Sequence, residues 1–70
     1  MPIDYDQNDI TIDNLQVILS QMRQLNQQHK AGSHNVVDVT ITYTAAQMTA
    51  VEDRYTALKV AAIAEFGNLP

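Results

Sequence analysis

The sequence predicts a mainly α fold, a small antiparallel two-helix hairpin with an extended arm between the helices. Three observations carry this. Apolar residues recur at spacings of three and four over 11–30 and again over 45–66. Between them, over 35–43, the period drops to two. The chain has 70 residues and no cysteine, so it makes one small domain without disulfide staples.

Residues 1–10 read as an acidic, irregular N-terminus. Asp4, Asp6, Asp9 and Asp13 place four of the eight acidic residues within the first 13 positions. The first helix is predicted over 11–30, with Leu15, Ile18, Met22, Leu25 and His29 on one face. Ile12 and Leu19 widen that stripe. Thr11 is the expected N-cap and Asp13 the acid of the first turn. Lys30 lies in the expected last turn, and Gly32 offers a left-handed residue to end it.

In the arm, Val37, Val39, Ile41 and Tyr43 alternate with Asp38, Thr40 and Thr42. β-branched residues dominate, which favours an extended arm or a short strand. A lone strand leaves its backbone groups unpaired, so it is expected to pair with the Ile10–Ile12 segment, a second copy or another protein. Thr44-Ala-Ala-Gln47 has the spacing of a capping box. The second helix is predicted over 45–66, with Met48, Val51, Tyr55, Leu58, Ala62 and Phe66 on one face. Gly67 is its expected stop, and residues 67–70 read as the start of a linker to further sequence. The two helices share a pattern at an offset of 33, Thr11 with Thr44 through Leu25 with Leu58.

Charge and composition exclude several classes. The net charge is −4, with only four Lys and Arg, so nothing here neutralises a run of phosphates and nucleic acid is not the expected partner. The longest apolar run, Val60–Ala64, falls far short of the roughly 20 residues that cross a bilayer. Met1-Pro2-Ile3-Asp4 lacks the basic and apolar regions of a signal peptide, so folding in a cytosol is expected.

Candidate chemistry is sparse. Asp4-x-Asp6-x-Asn8 copies the first ligand positions of a calcium loop, but Asp9 stands where its Gly belongs and Leu15 where its bidentate Glu belongs. The expected role is support for the helix that follows. His29 and His34 lack neighbouring ligands and read as surface histidines. Glu52, Asp53 and Glu65 read as a solvated helix face beside Arg54 and Lys59. No enzyme activity, cofactor or metal is expected. Val17, Val60 and Ile63 lie off the main stripes, and with the arm they exceed what two helices bury between themselves. That surplus points to a protein-docking surface.

The stretch Tyr5-Asp-Gln-Asn-Asp-Ile-Thr-Ile-Asp-Asn-Leu-Gln16, followed by the Tyr43–Pro70 segment, resembles tailed-phage structural proteins. Over essentially its whole length the chain is similar to the N-terminal, capsid-binding domain of a phage head decoration protein. The Gln-, Asn- and Thr-rich, cysteine-free make-up agrees. The resemblance implies a monomeric helical domain on the outer face of the virion capsid, docked on the major capsid protein near the centres of hexameric capsomers. It also implies a linker and a C-terminal immunoglobulin-like domain after Pro70. Tight docking concentrates energy in a few anchors, with aromatics and Arg favoured. Tyr5, Arg23, Ile41, Tyr43 and Arg54 are the candidates. The second reading of the residues is a small homodimeric interaction or regulatory domain, paired through the 35–43 arm.

Overall fold

The computed structural model describes residues 3–70, apart from the side chains of His34 and Val36. Helix α1 spans Tyr5–Ala31, strand β1 Ser33–Val36, strand β2 Val39–Thr42 and helix α2 Ala45–Phe66. The helices pack antiparallel along one seam, as the hydrophobic pattern predicts. The connection is a two-stranded antiparallel hairpin.

α1 starts earlier than expected. The N-cap is Asp4, not Thr11, and its Oδ1 accepts from the Gln7 amide at 3.0 Å. Asp6, not Asp13, is the acid of the first turn, where it meets the positive end of the helix dipole. A carboxylate is at least as good a cap as a hydroxyl, so the acidic segment extends the helix by almost two turns. Of the segment read as irregular, 5–10 is therefore helix, and the first two residues lie outside those described. The same is true of Met1 and Pro2 in the signal-peptide reading. Asp4, Asp6 and Asn8 lie at a cap and on a helix, not in an ion-binding loop. At the other end Gly32 takes the expected left-handed conformation, φ 67°, and its N–H donates to the Gln28 carbonyl at 2.8 Å.

α2 starts where the sequence places it. The Gln47 amide donates to Thr44 Oγ1 at 3.2 Å, and the Thr44 amide donates to Gln47 Oε1 at 2.8 Å. Both halves of the capping box are thus made. Gly67 ends the helix with φ −65°, an ordinary right-handed value.

The arm does not pair with Ile10–Ile12 or need a second chain. It pairs with itself, because β1 begins two residues before the predicted arm. Ser33 faces Thr42, His34 faces Ile41, Asn35 faces Thr40 and Val36 faces Val39. Thr40 Oγ1 donates to Asn35 Oδ1 at 2.8 Å across that register. The Tyr43 amide donates to the Gly32 carbonyl at 2.8 Å and closes the hairpin base. The loop is Val37-Asp38, with φ 46° and 64°. Positive φ at both residues of a two-residue loop is the signature of a type I′ turn, whose twist suits a hairpin.

The seam keeps a strict alternation of three and four. It runs through Thr11, Leu15, Ile18, Met22, Leu25 and His29 on α1, and through Met48, Val51, Tyr55, Leu58, Ala62 and Glu65 on α2, with Leu69 continuing it past the helix end. A 3.5-residue period follows an antiparallel partner better than 3.6. It carries the seam to Glu65, which is half-buried, and leaves Phe66 exposed, contrary to expectation. Among the described residues only Leu25, Val51 and Thr11 are buried, the last at 1% exposure. The molecule measures 51 × 23 × 12 Å, so it is one helix thick. Its radius of gyration is 15.8 Å. A compact chain of this length has a radius of about 11 Å.

Candidate functional site

Among the described residues the most exposed large apolar side chain, Val37, lies on the hairpin. α1 alone spans about 40 Å at the helical rise, and the long dimension is 51 Å, so the hairpin extends the rod beyond the helices. Val37 at the turn is 90% exposed, and Val39 and Ile41 are exposed behind it. Val37 also holds a left-handed backbone, which clashes with a β-branched side chain. An apolar residue that is both strained and solvated gains nothing from its own fold.

The helix pair has two faces. Two depressions, one on each side of the seam, show which residues belong to which. Asn26, His29, Glu52 and Thr56 line one of about 280 Å³. Gln21, Gln24, Gln28, Arg54 and Ala57 line the other, of about 400 Å³. On the first face His29 Nε2 and Glu52 Oε1 meet at 2.8 Å. The ionised carboxylate only accepts, so the imidazole is the donor. This cross-helix bond joins two residues that the sequence presents as separate surface groups. Only the antiparallel register, which sequence spacing does not supply, brings them together. Both remain largely solvated, so the pair ties the helices weakly.

No known protein family, curated protein or solved structure matches this chain.

The five candidate anchors are not brought to one place. Tyr5 opens α1 at the end of the rod opposite the hairpin and is exposed. Ile41 lies on β2, and Tyr43 closes the hairpin base, half-buried. Arg54 lines the depression on the second face. Arg23 lies three residues before Asn26, within the exposed α1 surface. Ile41 and Tyr43 are therefore the two that share an element with the exposed valines. His34, read as a surface histidine, is placed on β1 by its backbone, and its side chain lies outside the described residues. No described helix is long and apolar enough to cross a membrane.

Sequence reasoning missed Val37 as an exposed turn residue because it placed Val37 inside a continuous strand. The signal was weak, since only Val36 is β-branched before Val37-Asp38, and Val-Asp lacks the Asn-Gly of a strong turn.

Proposed function

We propose that this chain is a non-enzymatic binding module that docks through its hairpin on the outer surface of an assembled phage capsid. There it would decorate or stabilise the shell. The observation that supports docking is the hairpin tip, where Val37, Val39 and Ile41 are exposed together on a projecting element. The likeness to capsid-binding domains of head decoration proteins supplies the kind of partner. A hairpin already closed by its own backbone bonds loses little freedom on binding, so its apolar contacts are not spent on ordering. Contacts made only on the assembled shell favour that state by mass action.

Co-sedimentation with empty, expanded tailed-phage capsids tests the reading. Saturable binding is expected, and none at all would overturn it. Val37→Ser with Ile41→Ser should weaken binding at least tenfold while helicity is retained. Tyr43→Ala should weaken it less, since that side chain is already half-buried in the fold. Unchanged affinity in both variants would move the contact away from the hairpin.

A further inference from the structure

The helix pair has a face that is incomplete. The accessible surface is 5596 Å² for 7.8 kDa. A compact monomer of that mass exposes about 4,400 Å². The excess, on the order of 1,200 Å², exceeds the roughly 800 Å² that each partner buries in a standard interface. The fold has one layer of helices where stable domains have two.

The two faces differ in what they offer. Beside the seam on the His29–Glu52 side, α1 carries Tyr5, Ile12 and Leu19 at seven-residue intervals. α2 adds Ile63 and Phe66 on that side, and all five are exposed. Tyr5, Ile12, Leu19 and Phe66 adjoin the seam directly and continue the buried stripe, with Ile63 one column further out. On the other side Gln7, Asn14, Gln21 and Gln28 stand between the seam and the exposed Ile3, Ile10 and Val17. That column of amides interrupts the apolar surface.

The faces also differ in their charged residues, the second carrying Arg54 and no acid. The first face holds Arg23, Lys30 and Lys59 against Asp9 and Glu52. It therefore carries three of the four basic residues and two of the eight acids, although the chain as a whole is at −4. Each copy brings a face at +1, and in the register of the His29–Glu52 contact Arg23 lies level with Lys59 of the second copy, so the apolar contact has to offset that repulsion.

From these observations we infer that a second copy of this chain covers the face, completing a four-helix bundle. The two-fold axis lies along the rod. Each α1 then runs antiparallel across α2 of the other copy, and Ile12 and Leu19 meet Ile63 and Phe66 of the second copy. An isologous contact of this kind repeats every pairing twice. Both hairpins emerge at the same end, free of the interface. The inference goes beyond hairpin docking and replaces the monomer that the family likeness implies. Self-association and capsid binding are measured separately, so either can fail alone.

Sedimentation equilibrium of the 70-residue chain should show twice the 7.8 kDa mass at micromolar concentration, with a melting temperature that rises with concentration. A monomer with a concentration-independent melting temperature overturns the proposal. Ile12→Gln with Ile63→Gln should weaken association at least tenfold. Ile10→Gln with Val17→Gln, on the other face, should leave the dimer intact. The reverse result overturns the choice of face. If the first variant loses its helicity, the arrangement is still read from the wild type. The chain has no cysteine, so a spin label on Asp38→Cys reports on the turn alone. Labels separated by little more than the helix spacing of about 10 Å are expected. Labels separated by the 51 Å length of the rod or more would overturn the shared-end arrangement.

Discussion

Thr11 and Val37 are each at odds with a local preference. Thr11 sits at a seam position with 1% exposure, and its hydroxyl makes no side-chain hydrogen bond among the described residues. A buried hydroxyl without a partner costs about 1–3 kcal/mol. Thr11→Val keeps the shape and removes the hydroxyl, so it should stabilise the fold by about 1 kcal/mol and raise the melting temperature by several degrees. Thermal unfolding followed by circular dichroism checks this, and a lower melting temperature would show that the hydroxyl is satisfied. The sequence makes Thr11 look like a cap because it precedes the first apolar repeat. Asn14, three residues on, cannot complete a box as Gln47 does for Thr44. Val37 is the second case. Asn tolerates the left-handed region better than a β-branched residue, so Val37→Asn should stabilise the fold by about 1 kcal/mol in urea unfolding. The same substitution should weaken capsid docking, because it removes the most exposed apolar group of the tip.

The caps fix where the helices begin and end. Removing the Thr44 hydroxyl takes away one half of the capping box, and Thr44→Ala should cost about 1 kcal/mol in urea unfolding. Gly32→Ala should cost about 1–2 kcal/mol, since a Cβ is disfavoured at φ 67°. An added methyl there meets nothing within 4 Å, so the loss is one of backbone conformation alone. Equal stability of wild type and Gly32→Ala would show that the hairpin base relaxes freely. α2 and the end of α1 were legible because Thr44, Gln47 and Gly32 act within their own turns. The start of α1 was less so, since Asp4 and Asp6 lie in a run of acids that reads equally as tail or cap. The pairing of the arm was hidden for a different reason. Ser33-His34-Asn35 has little strand character, and only the register opposite Thr40–Thr42 draws it into β1.

The molecule as a whole is a thin rod. The surplus of apolar side chains was legible in the sequence through Val17, Val60 and Ile63, but their distribution over two faces was not. It depends on the seam period, and a drift from 3.6 to 3.5 residues moves Phe66 from the seam to the surface. The candidate anchors were scattered for the same reason, since composition ranks residue types without saying which end of the rod they occupy. The length of the rod has an electrostatic consequence. Asp4, Asp6, Asp9, Asp13 and Glu65 lie toward the end opposite the hairpin, while Asp38 is the one acid on the hairpin itself. In physiological salt a charge is screened within about 8 Å, a small fraction of the 51 Å that separates the ends. The tip is therefore insulated from most of the chain's negative charge. Hairpin docking should change little between about 0.05 M and about 0.5 M salt, and a steep salt dependence would mean that the charged helix faces make the contact instead.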